Sequence, residues 1–157
     1  MGSVRPIRFE PGRPMLFAGI RRWHTYAGAP TSIPAQWEDF RNNSELRDQP
    51  EGSFVYGILC AAKPGEFEYM TAVEVPSFDG LETRTGRMRL PPRYFAVFEH
   101  SGPIAEIHRT LKAIWEDWMP TSGMKPVHAP EFERYDHRFN PLTRDGVVEI
   151  WSPVAAE

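Results

Sequence analysis

The feature that most constrains the fold of this chain is an internal duplication. Residues 36–40, Gln-Trp-Glu-Asp-Phe, resemble residues 114–118, Ile-Trp-Glu-Asp-Trp. Both stretches lie in segments whose apolar residues recur at helical spacing. Each helical segment follows one predicted strand and precedes two others. The sequence therefore predicts the order strand–helix–strand–strand twice.

The spacing of matched residues supports the duplication. Three pairs occur in the same order in both halves: Trp37 with Trp115, Tyr56 with Tyr135, and Glu74 with Glu149. The tryptophan and tyrosine are 19 residues apart in the first half and 20 in the second, and the tryptophan and glutamate are 37 and 34 residues apart. We predict an α+β fold with pseudo-twofold symmetry, an antiparallel sheet, two main helices and a central cleft. Clefts between subdomains are common ligand sites.

Prolines and glycines set the predicted boundaries. Three prolines among the first fourteen residues indicate a segment that wraps the surface without forming an element. Residues 76–92 are rich in proline, glycine and polar residues, which indicates a connector. The predicted divisions are an N-terminal extension at 1–14 with a flexible end at 1–3, a single domain at 15–154 with repeat halves at about 15–75 and 93–154, and a tail at 155–157.

Local signals predict details of the two helices. Ser32 is expected to cap the first helix, with Pro34 in the first turn, where a missing N–H costs no hydrogen bond. Pro103 marks the start of the second helix. His100 opens the preceding strand-to-helix turn and is expected to support that turn. His108 lies at an apolar position of the second helix and is predicted to be a core histidine.

Composition excludes several classes of function. The formal net charge is -3, and the basic residues form no block of the kind that a nucleic-acid-binding surface needs. No apolar stretch reaches the length of a membrane span, and no secretory signal pattern is present. One cysteine, Cys60, allows no intrachain disulfide and indicates a reducing, cytoplasmic compartment. No histidine pair has metal-ligand spacing and no phosphate-binding loop occurs, so we expect no metal and no cofactor.

The last predicted strand contains the most informative single residue. Residues 146–154 read Gly-Val-Val-Glu-Ile-Trp-Ser-Pro-Val, and Glu149 is the one charged residue among them. A carboxylate in an apolar strand is costly if it is buried without a partner. Glu149 is therefore expected either to face solvent or to interact with a positive or hydrogen-bonding group.

Several motifs taken together resemble a known family. They lie at residues 94–103, 115–118, 132–136 and 148–154. In this order and spacing they are similar to the GyrI-like small-molecule-binding family, whose domain is also the effector-binding domain of AraC-type and MerR-type regulators. The resemblance covers nearly the whole chain. It implies a tandem strand–helix–strand–strand fold and an aromatic pocket for bulky cationic or planar compounds, with Glu149 as the pocket glutamate. Because about fourteen residues precede the first predicted strand, we expect a stand-alone member that does not itself bind nucleic acid.

Aromatic residues supply the remaining candidates for ligand binding. With Glu149, the predicted ligand-binding set is Tyr56, Tyr69, Trp37, Trp115, Trp118 and Trp151. A cation over such a ring gains on the order of 0.5–2 kcal/mol. Aromatic residues at helical spacing are more often core than binding surface, and a buried tyrosine commonly serves a structural hydrogen bond. Both interpretations stay open for the helical tryptophans and for the two tyrosines.

Three functions are compatible with this set. The favoured one is binding of amphipathic, aromatic or cationic small molecules, for sensing or sequestration. The second is a hydrolase of cyclopropane-type or other electrophilic toxic compounds, with Glu149 as general base and a tyrosine as acid. The tyrosine would be Tyr56 or Tyr69, or alternatively Tyr135. The third is a gyrase-interacting inhibitor protein, which rests on the family resemblance and on no surface feature of the sequence.

Overall fold

The computed structural model describes residues 4–156, which form two compact units. One unit is Pro14–Pro91, and the other combines the segment through Arg13 with the chain from Pro92 onward. The predicted flexible end at 1–3 lies outside the described residues. The main elements are β1 (Arg8–Pro11), β2 (Met15–Thr25), α1 (Ala29–Asn43), β3 (Val55–Lys63), β4 (Glu66–Glu74), β5 (Gly86–Leu90), β6 (Tyr94–Pro103), α2 (Ile107–Ala113), β7 (Met124–Pro126), β8 (Glu131–Asn140) and β9 (Asp145–Ala156).

Both units have the same antiparallel strand order. The first orders its strands β3–β4–β2–β5, and the second orders them β8–β9–β6–β1, with β7 paired to the end of β9. A helix follows β2 and β6, the equivalent strands. The outer strands β5 and β1 occupy equivalent places, beside β2 and β6 respectively. In the sequence, β5 comes after the other strands of its unit, whereas β1 comes before them. The prediction of an α+β fold with a tandem strand–helix–strand–strand repeat, antiparallel pairing and two main helices is confirmed.

Helix α1 is fixed to its sheet by a buried polar network. His24 is 4% exposed, and its ring nitrogens lie 2.6 Å from Ser32 Oγ and 2.6 Å from Gln36 Oε1. The Gln36 amide nitrogen donates to the carbonyl oxygens of Ile20 at 2.9 Å and Tyr69 at 3.0 Å. Because an amide oxygen can only accept, His24 carries its proton on Nε2 when neutral. The network satisfies polar groups that would otherwise be buried without partners.

The second helix is anchored in a similar way. His100 is 5% exposed, with Nδ1 2.7 Å from Thr110 Oγ1 and Nε2 2.9 Å from the carbonyl oxygen of Pro103. The predicted supporting role of His100 at this turn is confirmed. The helical segment begins with a 3₁₀ turn, continues as α2, passes through a π-helical turn at Ile114–Trp118 and ends in a second 3₁₀ turn. Its apolar side packs on a core that includes the fully buried Ile114.

The start of α1 differs from the prediction. The helix begins at Ala29 after Gly28, and Ser32 lies inside the first turn. The Ser32 hydroxyl donates to the carbonyl oxygen of Gly28 at 3.1 Å and also contacts His24. Ser32 is therefore not the N-cap residue of α1, a position that Gly28 occupies. Pro30 occupies the early position that tolerates proline, and Pro34 lies inside the helix.

Two segments that were predicted to lack regular structure form strands. β1 forms by pairing with β6, and Pro11 ends it at a sheet edge, where proline is tolerated. β5 arises within the predicted connector and pairs with β2. Neither strand carries a strong local signal, because each is short and depends on a partner distant in sequence.

Two further predictions are corrected. His108 is exposed and not in the core, because the apolar side of its helix runs through Ile107, Leu111 and Ile114, which places His108 beyond its edge. The proposed match between Glu74 and Glu149 is also wrong. Glu74 ends β4, whereas Glu149 lies in the middle of β9, so the two glutamates occupy different positions relative to their hairpin turns.

We expect Gln36→Leu to destabilise the protein by about 2–4 kcal/mol, because it removes the buried partner of His24 Nε2 and the hydrogen bonds that the Gln36 amide donates to two strand carbonyl groups. Urea denaturation followed by tryptophan fluorescence measures the change. Glu38→Ala, an exposed position on the same helix, is the matched control and should change the free energy of unfolding by less than about 0.5 kcal/mol. Equal effects of the two substitutions would contradict the anchoring role of Gln36.

Candidate functional site

The candidate site lies on one face of the sheet formed by β1, β6, β8 and β9. Ala96, Phe98 and Ile150 point toward the helical segment, where they form a core with Ile114 and Met119. Because side chains alternate along a strand, the neighbours of these residues point to the opposite face. That face carries Arg8, Val97, Glu149, Trp151, Phe95, Phe132 and Arg134, and we call it the Glu149 face.

Glu149 is buried and bound by arginines. It is 5% exposed, and each of its carboxylate oxygens accepts a hydrogen bond from Arg8, Nη1 to Oε2 at 3.0 Å and Nη2 to Oε1 at 3.0 Å. Arg134 Nη2 lies 2.9 Å from Oε1, and Arg138 Nη2 lies 3.6 Å from Oε2. The indole N–H of Trp151 donates to Oε1 at 3.0 Å. Of the two outcomes expected from the sequence, the structure shows the one in which positive and hydrogen-bonding groups surround the carboxylate.

These contacts keep Glu149 ionised. Burial by itself would raise the pKa of the carboxyl group, because the charged form loses hydration. Hydrogen bonds from Arg8 and Trp151 and the charge of Arg134 outweigh burial and lower the pKa of Glu149 below its ordinary value of 4.5. The site therefore presents a permanent negative charge at neutral pH.

Trp151 supplies an aromatic surface beside the carboxylate. Its ring lies 5.2 Å from that of Phe132 and 5.5 Å from that of Phe95, centroid to centroid. The guanidinium carbons of Arg134 and Arg8 lie 4.9 Å and 5.5 Å from the Trp151 ring centroid. The face thus already holds delocalised cations between a carboxylate and an indole ring, an arrangement that favours planar positive groups.

Acidic residues surround the arginines in turn. Arg8 Nε donates to Glu10 at 2.6 Å, and Arg138 donates to Glu99 at 2.6 Å and to Asp136 at 3.0 Å. Counted with Glu149, the ion pairs of the described chain join four carboxylates to three arginines. Arg8 and Arg138 thus each have an acidic partner besides Glu149, which offsets part of their positive charge.

The structure divides the predicted site residues of this unit between the two faces. Glu149 and Trp151 are neighbours on the Glu149 face. Trp118 lies on the helical side, where its ring is 5.0 Å from that of Phe98. Trp115 belongs to the same π-helical turn and is 40% exposed. The two helical tryptophans are therefore not part of the Glu149 face, and a ligand role for them stays a prediction.

The predicted residues of the other unit are divided in the same manner. Trp37 and Tyr69 contact each other on the side of α1, with ring centroids 6.4 Å apart. Tyr56 lies on the opposite face of the sheet, where its ring is 4.9 Å from that of Phe17. Tyr56 and Tyr69 are each 3% exposed. Their roles in ligand binding, and that of Tyr56 in catalysis, stay predictions.

Sequence reasoning missed the three arginines that define the site. One of them, Arg134, carries a local signal, since Phe132, Arg134 and Asp136 alternate with residues of the other face along β8. Arg138 lies past an irregularity in the pairing of β8 with β9, so the alternation does not place it. Reading that alternation would have placed Arg134 on the same side of the sheet as Glu149, because the two residues are cross-strand partners. Arg8 carries no such signal, because its partner is 141 residues away in sequence.

A second unusual carboxyl group, Glu131, lies on the helical side of β8. It accepts a hydrogen bond from Ser152 Oγ at 3.0 Å. Burial raises its pKa to about 7, and the Glu133 charge acts in the same direction, while hydrogen bonds from Ser152 and Trp115 oppose the shift. Glu131 therefore titrates near neutrality, in contrast to Glu149.

Residues 4–156 contain neither a metal-binding cluster nor a helix suited to spanning a membrane. Within residues 4–156, no group of three or more His, Cys, Asp or Glu side chains is placed to hold a metal ion. The helices of the same residues include none with both the length and the apolar character needed to cross a bilayer.

Several solved structures have the same fold as this chain. A putative transcription regulation protein from Staphylococcus aureus MU50 has 18% identity, covering 95% of this chain and 97% of that chain, with a TM-score of 0.71. SAV2435, solved bound to tetraphenylphosphonium, has 19% identity, with coverage of 99% and 94% and a TM-score of 0.69. An integron cassette protein from Vibrio cholerae has 17% identity, with coverage of 98% for both chains and a TM-score of 0.69. At these identities the likeness establishes the fold, which is that of the GyrI-like effector-binding domains.

The family follows from the sequence itself. A family model described as integron-associated effector binding protein matches residues 13–154. The chain belongs to this family of effector-binding proteins. No curated protein sequence matches it. The resemblance to GyrI-like effector-binding proteins is confirmed.

We expect Glu149→Gln to lower the free energy of unfolding by about 2–4 kcal/mol at pH 7, because it leaves Arg8, Arg134 and Arg138 without their shared carboxylate. A carboxyl group with a lowered pKa stabilises the folded state above its unfolded pKa and loses that effect as the pH falls through its folded pKa. The difference between wild type and variant should therefore shrink below about pH 4.5. Denaturant titrations at several pH values measure it.

The matched control for this substitution is Glu99→Gln. Glu99 faces Glu149 on the neighbouring strand and pairs with Arg138, but its side chain is 31% exposed. A partly exposed pair contributes about 1 kcal/mol or less. A loss at Glu99 as large as that at Glu149 would contradict the central place of Glu149.

We expect the stability of the wild type to fall, relative to Glu131→Gln, as the pH rises from about 5 to 8. The folded protein keeps the proton of Glu131 up to about pH 7, whereas the unfolded chain releases it near its ordinary pKa of 4.5. The shift corresponds to a change on the order of 2–3 kcal/mol. Chemical denaturation at several pH values in this range measures the free energy of unfolding of wild type and variant, with Glu116→Gln at an exposed position as control. If Glu131 had an ordinary pKa, the free energies of wild type and Glu131→Gln would change in parallel with pH.

Proposed function

We propose that this protein binds cationic aromatic small molecules on the Glu149 face, as a sensing or sequestering protein. The observation that carries the proposal is that guanidinium groups of the protein already bind to the Glu149 face. Both Arg8 and Arg134 contact the Glu149 carboxylate while their guanidinium carbons lie over the ring of Trp151. A ligand with a delocalised positive charge and an aromatic body would use the same two partners.

The ionisation of Glu149 favours binding over acid–base catalysis. A general base works best when its pKa lies near the working pH. The pKa of Glu149 is instead lowered by hydrogen bonds from Arg8 and Trp151, despite burial. A carboxylate held in this state attracts a cation well and removes a proton from water poorly.

The family and its relatives support the same proposal. The family model describes effector-binding proteins. One relative of the same fold, SAV2435, was solved with tetraphenylphosphonium, a lipophilic aromatic cation. We extend the binding of a ligand of that kind to this chain because its Glu149 face has the charge and the aromatic surface for it.

The other two functions stay hypotheses. A hydrolase of cyclopropane-type compounds would need Glu149 to act as a base while it is bound to arginines. A gyrase-interacting role rests on the family resemblance alone. We also propose, from the single cysteine, that the protein works in the cytoplasm.

Titration calorimetry with tetraphenylphosphonium and with neutral triphenylphosphine oxide tests the proposal. We expect the wild type to prefer the cation, and Glu149→Gln to weaken binding of the cation by at least about tenfold, an effect of roughly 1.4 kcal/mol. Binding of the neutral compound should change little. Glu99→Gln serves as the control for a carboxylate of the same cluster that does not contact Trp151 in the described structure.

If wild type and Glu149→Gln bound the cation equally well, the proposal that the Glu149 carboxylate attracts the cation would be wrong. If no variant binds either compound, small-molecule binding on the Glu149 face is wrong. Measurements belong at a temperature where circular dichroism shows each variant to be fully folded.

A further inference from the structure

We propose that Arg8 is an intramolecular ligand of the Glu149 face, and that an incoming cation must displace its guanidinium group. This inference rests on the proposed function. It adds that the site is occupied by the protein itself, and that the ligands best suited to it are planar guanidinium-like or amidinium-like cations.

The contacts of Arg8 are those of a bound ligand. Its two terminal nitrogens each donate to one oxygen of Glu149, both at 3.0 Å, which is a paired arrangement. Its guanidinium carbon lies 5.5 Å from the centre of the Trp151 ring. Its side chain is 33% exposed, so the group enters the site from the solvent side and is not enclosed within the core.

The position of Arg8 in the fold separates it from the other two arginines. Arg134 and Arg138 both belong to β8, which is paired with β9, the strand that carries Glu149. Arg8 belongs to β1, which has four residues and lies at the end of the strand order. Short strands at sheet edges and chain ends open at a lower free-energy cost than interior strands.

Removal of the Arg8 guanidinium leaves a site that is still stable. Glu149 keeps Arg134 at 2.9 Å and the Trp151 indole N–H at 3.0 Å, so its charge is not left buried without partners. Glu10, which Arg8 also binds, is partly exposed and can be hydrated in its place. A cation in the vacated position would contact the ring of Trp151 and the carboxylates of Glu149 and Glu10, which are the groups that Arg8 contacts.

The geometry also selects among cations. Two parallel N–H groups match the two oxygens of Glu149, and a flat delocalised cation matches the Trp151 ring. A quaternary cation without N–H groups would keep the charge and the ring contact but lose the paired hydrogen bonds.

Arg8 competes with any free ligand because it is part of the same chain. A tethered group competes with a free ligand at an effective concentration that reaches the millimolar range for short flexible connections. The apparent affinity of a free ligand is therefore reduced by the fraction of molecules in which Arg8 occupies the site.

The test compares phenylguanidinium binding to four forms of the full chain: wild type, Arg8→Ala, Arg8→Lys and Arg5→Ala. Arg5 is exposed and lies in the same N-terminal segment, so its substitution removes an equal charge without opening the site. We expect Arg8→Ala to bind at least about tenfold more tightly than wild type, which is roughly 1.4 kcal/mol. Arg8→Lys should fall between them, because an ammonium group pairs with Glu149 at a single point, and Arg5→Ala should match wild type.

The direction of the change distinguishes displacement from a structural role. If Arg8 only supported the site, Arg8→Ala would bind phenylguanidinium with equal or lower affinity, and that result would overturn the inference while leaving the proposed function standing. If Arg5→Ala gained as much affinity for phenylguanidinium as Arg8→Ala, the loss of a positive charge at long range would explain both changes. That result would also overturn the inference. Failure of all four forms to bind, with each shown to be folded by circular dichroism, would reject the proposed function together with this inference.

Discussion

The buried carboxylate of Glu149 is the interaction on which this unit of the molecule depends. A charge at 5% exposure in the middle of a sheet is tolerable only if nearby groups replace its hydration. Here the replacement comes from three sources: the chain end through Arg8, the neighbouring strand through Arg134 and Arg138, and its own strand through Trp151. One side chain thereby connects segments at both ends of the sequence.

The two faces of this sheet have different chemistry because the strands alternate. Residues such as Phe98 and Ile150 pack against the helical segment and form an apolar core. Their neighbours build the Glu149 face, where aromatic rings lie beside charged groups. The first face provides the rigidity that a binding surface needs, and the second provides a negative charge beside an aromatic ring. Glu131 and Glu149 differ in the same way. Burial prevails at Glu131 and raises its pKa, whereas at Glu149 hydrogen bonds and arginine charges together outweigh burial and lower the pKa.

The sequence predicted the repeat because each half carries its own local pattern. The helical stretches at 36–40 and 114–118 both place a buried residue, Gln36 or Ile114, beside a more exposed tryptophan. Strands β1 and β5 were missed because their pairing is non-local and they are too short to show alternation. For the site, Glu149 stood out as a lone charge in an apolar strand, and Trp151 followed from its position in the motif. The arginines could not be assigned by pattern alone, since a basic residue on a strand is usually solvated and the sequence does not show which carboxylate it reaches.

The histidine anchors have a consequence for how each helix is placed on its sheet. The His24 ring, on β2, contacts Ser32 and Gln36, which both belong to α1. The His100 ring, on β6, contacts Thr110 of α2 and the carbonyl oxygen of Pro103 at the end of its own strand. An imidazole ring is rigid and has only two rotatable bonds between it and the backbone, so two hydrogen bonds at opposite nitrogens fix its position. The distance and direction of each helix relative to its strand are thus set by a short, stiff side chain and not by apolar packing alone.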